Sequence, residues 1–262
     1  MPTTPSVLIT GASSGIGATY ADRFARRGHN LVLVARNQDR MEALATKLRQ
    51  ETGVTIDIIR ADLTQPSDLA EVETRLKDDA RIGILVNNAG TAIGGTLAQQ
   101  KSEDITALVA LNATAVLRLA HAVTPRFVER GAGTIINIAS VVGLVPEFGQ
   151  TVYGATKAFV LYLSQGMSHE MSSKGIYVQA VLPAATRTEI WANAGADINS
   201  IPGLMDVGEM VDAALVGFDR REPVTIPPLP DAGLWDAYQA ARLAMTPGFG
   251  ESHAAARYQT KR

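Results

Sequence analysis

Tyr153 and Lys157 stand four residues apart in the segment Val152-Tyr153-Gly154-Ala155-Thr156-Lys157. On a helix that spacing puts both side chains on one face. A free phenol, with a pKa of about 10, is a poor proton shuttle near neutrality. A fixed ammonium beside it favours the phenolate and brings that pKa toward working pH. The pair therefore suits giving a proton to a carbonyl oxygen or taking one from an alcohol. Alone, the spacing carries little information, because ordinary surface helices contain it too.

The elements around the pair set its context. Short runs rich in Val, Ile and Leu recur at residues 7–10, 31–35, 55–60, 84–87, 134–138 and 176–182, each bounded by Gly, Asn, Asp or Pro. Near-continuous apolar runs of this length read as strands buried on both faces, as in a parallel sheet. Helix-like patterns fill the intervals at 18–27, 38–51, 65–79, 103–130 and 152–174, and Gly28, Gly53, Gly131 and Gly175 fall where helices should stop. This alternation predicts an α/β fold: a doubly wound parallel sheet in a Rossmann-type three-layer α/β/α single domain spanning 1–262. Past Pro183 the pattern loosens into a substrate loop or lid at about 188–222, which includes a helix at 207–219. A last strand at 223–226 precedes a tail from about 227.

Composition narrows the chemistry. The 262 residues contain no cysteine, which excludes disulfides, thiolate metal sites and cysteine nucleophiles. The four histidines are scattered without metal-ligand spacing, so no metal is expected. A net charge of −2 argues against a nucleic-acid or membrane footprint. No secretory pattern is visible and no apolar stretch looks long enough to span a bilayer, so a cytoplasmic location is expected.

The first strand runs into Thr10-Gly11-Ala12-Ser13-Ser14-Gly15-Ile16-Gly17 and then a helix. Glycines there allow a tight turn and let backbone amides approach a pyrophosphate at a helix N-terminus. The same letters fit the Gly-x-Ser-x-Gly elbow of hydrolases, but that elbow follows several strands and needs a later acid and histidine, and no such pairing stands out. After the second strand, an NAD site calls for an acid; this chain offers Ala35 and then Arg36. An arginine can pair with a 2′-phosphate, which points to NADP(H).

Together these motifs resemble the short-chain dehydrogenase/reductase family across roughly residues 6–190. The family's Thr-Gly-x-x-x-Gly-x-Gly is Thr10–Gly17, its adenine-contacting Asp is Asp62, and its Asn-Asn-Ala-Gly is Asn87-Asn88-Ala89-Gly90. Its active-site tetrad is Asn112, Ser140, Tyr153 and Lys157. The resemblance implies cofactor contacts from Gly11, Ser13, Ser14, Gly15, Ile16, Gly17, Arg36, Asn37, Asp62, Leu63, Asn88, Ala89, Gly90, Tyr153, Lys157, Pro183 and Thr188. It also implies a homo-oligomer, dimer or tetramer, built on the two long helices. In the implied mechanism Tyr153 protonates the carbonyl oxygen and Ser140 hydrogen-bonds it. Lys157 lowers the tyrosine pKa and binds the nicotinamide ribose, while Asn112 holds a water in a proton relay.

The chain departs from the family in two places. The family's Pro-Gly after the sixth strand is Pro183-Ala184, which puts a methyl near the expected nicotinamide. The C-terminus lacks the Gly-rich closing strand of 3-oxoacyl-carrier-protein reductases. The expected substrate is a small hydrophobic carbonyl compound or secondary alcohol, walled by Val141, Val142, Leu144, Val145, Ile190 and Trp191, with Glu147 and Glu189 the sole carboxylates for a charged one. The rival reading is a non-catalytic NADP-binding sensor on the same fold. An epimerase or dehydratase would need a larger C-terminal domain than this chain has room for.

Overall fold

The computed structural model describes residues 4–259. Seven strands form one sheet in the order β3-β2-β1-β4-β5-β6-β7: β1 (Ser6–Thr10), β2 (Leu31–Ala35), β3 (Ile56–Arg60), β4 (Ile82–Asn87), β5 (Gly133–Ile138), β6 (Ile176–Val181) and β7 (Val224–Thr225). Every neighbouring pair is parallel, as the apolar runs predicted. β4 begins two residues before its apolar run, at Ile82-Gly83. A side chain at Gly83 would press within 2.6 Å of the Pro5 ring, so glycine lets the chain ahead of β1 lie close.

The helices are α1 (Gly15–Arg26), α2 (Gln38–Thr52), α3 (Pro66–Asp78), α4 (Ser102–Val109), α5 (Val116–Arg130), α6 (Thr151–Met171), α7 (Ile190–Asn193), α8 (Val207–Asp219) and α9 (Ala232–Ala244). The glycines expected to end helices all take left-handed backbone, with Gly53 at φ 73° accepting the conformation that side chains resist.

Successive strand residues face opposite layers. Val7, Ile9, Leu31 and Leu33 meet α1, α2 and α8 through Tyr20, Phe24, Met41 and Leu215. Leu8, Val32, Leu85 and Ile135 meet α3, α5 and α6 through Leu76, Leu119, Val123 and Met167. Burying each such side chain contributes roughly 1.5–3 kcal/mol. Phe24 is fully buried, edge-on to Phe218 of α8 at 5.9 Å, so its truncation to alanine should cost about 3–5 kcal/mol. Because α8 contributes Met210, Val211 and Leu215 to this core, it is framework, and the open part of the expected lid shrinks to residues before Asp206.

One expectation changes in the long helix. The pattern at 103–130 reads as one uninterrupted helix; the structure inserts a π-helical turn, Ala110–Ala115, between α4 and α5. Ser102–Arg130 as a whole runs for 29 residues, and an 18-residue window within it has a mean hydropathy of 1.5, so by length and composition alone it is long and apolar enough to cross a membrane. Its apolar residues Ala115, Leu119, Val123 and Phe127 serve instead in the second core layer.

The chain forms two compact units, Met1–Pro227 and Pro228–Arg262. In the second, Asp231 caps α9 by accepting from the Gly233 N–H at 2.8 Å, and Trp235 stacks on Tyr238 at 5.4 Å.

Candidate active site

The carboxyl ends of β1 and β4 diverge where the strand order reverses, which opens a crevice there. Thr10 ends β1 and the chain turns through Gly11, at φ 66°, into α1. A Cβ on Gly11 would lie 2.8 Å from Asn88 Nδ2, and one on Gly17 would lie 2.3 Å from the Gly11 carbonyl oxygen. Only glycine fits either place. Asn88 staples the turn to β4: its side-chain amide donates to the Thr10 carbonyl at 2.8 Å. The Thr10 hydroxyl accepts from the backbone N–H groups of Asn88 and Ala89, both at 3.0 Å.

A cavity of 920 Å³ runs along this crevice. Gly11, Ser13, Ser14, Gly15 and Ile16 line its middle with Asn88, Ala89 and Gly90; Arg36, Asn37, Asp62 and Leu63 line one end; and Thr188 covers it with Glu189, Ile190 and Asn193. Thirteen of the sequence-predicted cofactor residues are thus brought together. Gly17, Tyr153, Lys157 and Pro183 do not line it. Gly17 acts by letting the turn close.

Individual roles separate at the Arg36 end. The Asn37 side chain caps α2, accepting from the Arg40 N–H at 3.0 Å. Asp62 holds its own loop, accepting from the N–H and hydroxyl of Thr64 at 3.0 and 2.7 Å. Arg36 is exposed, and no carboxylate among the described residues pairs with it. Arg40 and Arg60 also line this end, although the sequence reading passed over both.

The residues of the expected tetrad come from three places: the π-helical turn, the end of β5, and α6, which carries both Tyr153 and Lys157. Asn112 lies in the π-helical turn and is buried. Its amide donates to the Thr91 carbonyl at 2.9 Å and to the Thr156 hydroxyl at 3.3 Å, and its oxygen accepts from the Thr91 N–H at 3.0 Å. Lys157, on α6, is 5% exposed. Its ammonium donates to the Ile138 carbonyl at 2.8 Å and lies 5.6 Å from the centre of the Tyr153 ring. A methyl built on Gly90 would come within 3.3 Å of Asn112 Oδ1 and 3.6 Å of Lys157 Nζ, so all three meet at one point. Ser140 follows β5; its hydroxyl donates to the Pro183 carbonyl at 3.2 Å and accepts from the Val142 N–H at 3.3 Å. Thr156, which the sequence reading did not single out, joins Asn112 to α6.

Burial governs the protonation of this cluster. It pushes the Tyr153 phenol up to about 12, with a hydroxyl contact from Ser140 pulling the other way. It pushes the Lys157 ammonium down to about 8. Desolvation dominates both groups, and the expected lowering of the tyrosine by Lys157 is not among the causes of either shift.

The expected substrate wall is only partly assembled. Val141, Val142, Leu144 and Val145 are half-buried around a tight 3-10 turn, Val141–Gly143, and like Trp191 they do not line the 920 Å³ cavity. The Trp191 indole N–H donates to the Thr186 carbonyl at 2.8 Å, which fixes the backbone before α7. Ile190 does line the cavity. Glu189 is engaged by Arg40, whose Nη1 donates to both carboxylate oxygens at 2.9 and 2.7 Å; that guanidinium holds the carboxyl below its ordinary range. At Ala184 the backbone does not take a positive φ, so a methyl there is free of the strain that would demand glycine.

Residues 5–199 match the family described as short chain dehydrogenase. The chain belongs to that family. Among solved structures, a short-chain dehydrogenase from Sphingobium yanoikuyae in complex with NADPH is 63% identical, with a TM-score of 0.97 over 98% of this chain and 100% of the other. The bulky-bulky ketone specific alcohol dehydrogenase from Comamonas testosteroni is 60% identical, with a TM-score of 0.92 over 98% and 99%. The very-long-chain 3-oxoacyl-CoA reductase of Rattus norvegicus is 35% identical over 187 residues, 70% of this chain; the match spans 60% of that relative's length.

Proposed function

We propose that this chain is an NADP(H)-dependent oxidoreductase that interconverts a hydrophobic carbonyl compound and its secondary alcohol. The observation that carries the reading is the buried Lys157 ammonium 5.6 Å from the Tyr153 ring, next to the crevice. A dinucleotide suits the residues present. The cavity is large, Gly11 and Gly17 leave no Cβ where backbone must approach, and no carboxylate among the described residues pairs with Arg36. The glycine turn would hold the pyrophosphate, Arg36 the 2′-phosphate and Asp62 the adenine end. When bound, the nicotinamide supplies or accepts the hydride.

The protein's own residues handle the proton. Tyr153, held protonated by burial, is the donor to the carbonyl oxygen in reduction. Ser140 donates to the same oxygen as negative charge develops, exchanging its bond to the Pro183 carbonyl for one to substrate. Lys157, poised near 8, takes up and passes on the proton, and Asn112 keeps Thr91 and Thr156 fixed around it.

The Comamonas testosteroni relative is named for bulky-bulky ketones, which supports a ketone flanked by two large groups as the substrate class. Exposed Tyr162 and Phe159 on α6, with Leu117 on α5, support a homo-oligomer formed through these helices; sedimentation tests it. A cytoplasmic location belongs to the same reading. The deciding assay follows NADPH oxidation against ketones graded in size on both sides of the carbonyl. Turnover that rises with bulk supports the proposal; NADPH binding with silence across the panel favours the non-catalytic sensor.

A further inference from the structure

The segment between Thr186 and Met205 is a loop pinned at its feet. Thr186 and Met205 bridge in parallel, the Arg187 N–H donates to the Met205 carbonyl at 3.0 Å, and the Met205 N–H donates to the Ala185 carbonyl at 2.9 Å. Its body carries α7 and covers the crevice through Thr188, Glu189, Ile190 and Asn193. Thr188 sits directly on the glycine turn: a Cβ at Gly15 would reach its methyl at 3.2 Å. Across the crevice stands the first turn of α2. The two walls are joined by the pair of Arg40 and Glu189, which are 149 residues apart in sequence. Among the described residues, no other ion pair engages this loop.

We propose that the Arg40–Glu189 pair is a strap across the crevice that holds residues 187–204 over the bound dinucleotide and sets how fast it leaves. Both are positioning residues that act through the loop. The proposal rests on the reading that the crevice binds NADP(H). Its charge chemistry distinguishes it from a simpler role for Arg40 as a second ligand to the 2′-phosphate. A strap acts on NADPH and NADH alike, because it spans the groove without needing the extra phosphate. A phosphate ligand acts on NADPH alone, and there Glu189 would be a competitor for the guanidinium.

The side chains are 51% and 59% exposed, so the effect is that of a surface pair, about threefold in a rate. Stopped-flow displacement of NADPH and of NADH, followed by cofactor fluorescence, gives dissociation rates for the wild type, Arg40→Gln, Glu189→Gln and the double variant. Each single change should raise both rates about threefold, and the double variant should be no faster than either. The differences should fade at about 1 M salt, where the screening length is about 3 Å. Hydrogen exchange in residues 190–205 of the cofactor-bound protein should rise to the same extent in all three variants. The strap is overturned if Arg40→Gln affects NADPH only while Glu189→Gln slows its release, or if neither variant changes any rate. Arg36→Ala and Gly17→Ala, measured in parallel, guard the underlying reading. If both leave NADPH binding intact, the crevice is not the cofactor site, and that failure is separate from failure of the strap.

Discussion

Lys157 and Arg36 are the two cations to which the sequence reading gave roles, and their surroundings are opposite. Lys157 is buried on α6 with its ammonium on a backbone carbonyl. Arg36 stands in solvent after β2, with no carboxylate partner among the described residues. At the first site, the protein has already displaced water, and protonation equilibria have moved on both members of the Tyr153–Lys157 pair. At the second, solvent screens the charge. The proposed reaction chemistry therefore falls where desolvation makes a single proton expensive to misplace. The proposed choice of cofactor falls where one exposed charge can be gained or lost without disturbing the fold.

That contrast predicts unequal penalties. Tyr153→Phe removes the proton donor while keeping the ring in its half-buried place, so kcat should fall roughly 10³-fold. NADPH affinity, measured by fluorescence titration, should stay within about twofold, since the lost hydroxyl lies outside the main cavity. A variant that keeps most of its turnover would move the chemistry away from the buried end.

Arg36→Ala tests the exposed end. One charge-assisted contact to a phosphate is worth about 1.5–3 kcal/mol, so NADPH should bind roughly 10- to 100-fold more weakly. NADH affinity should barely change. Equal losses for the two cofactors would make Arg36 an ordinary surface residue. Between the two ends, Gly17→Ala forces a methyl against the Gly11 carbonyl oxygen, at 2.3 Å in the unrelaxed structure. The turn must shift, which should cost about 1–3 kcal/mol in urea denaturation and also weaken both cofactors. If stability and binding are unchanged, the turn is more pliable than its packing implies.

The buried and exposed regions also differed in how legible they were. Strands flanked on both faces by helices must be apolar at every position, so runs such as Leu31–Ala35 declared themselves. The proposed tetrad stood out in the sequence because its members are chemically distinctive and its spacing resembles that of a family. The π-helical turn at Asn112 left no mark, since a wider turn changes backbone pairing without requiring any special residue type. α8 was read as part of a lid because its burial depends on α1, far away in sequence; the Arg23–Asp212 and Arg27–Asp219 pairs that join the two helices span about the same distance. The partner of Glu189 was hidden for the same reason. Nor could the direction of the Tyr153 shift be read from Tyr-x-x-x-Lys, because the motif encodes proximity and says nothing of how much water is lost.

The smallest effect follows from that desolvation and is visible in stability. The folded-state pKa of Lys157, about 8, lies below the ordinary lysine value of about 10.4. Between those values the unfolded chain binds a proton that the folded chain has released, so stability rises with pH, by at most about 1.4 kcal/mol per pH unit. Tyr153 opposes this only above about pH 10, where an unfolded phenol ionises and the buried one, near 12, does not. The window is therefore about pH 8 to 10. In Lys157→Met the titrating group is gone while the volume is roughly kept. Comparing urea denaturation of the cofactor-free proteins at about pH 7.5 and about pH 9.5 cancels every other titration, and the wild type should gain about 1–2 kcal/mol relative to the variant. If the two proteins change in parallel, Lys157 keeps its proton throughout, and the buried end is more hydrated than its packing indicates.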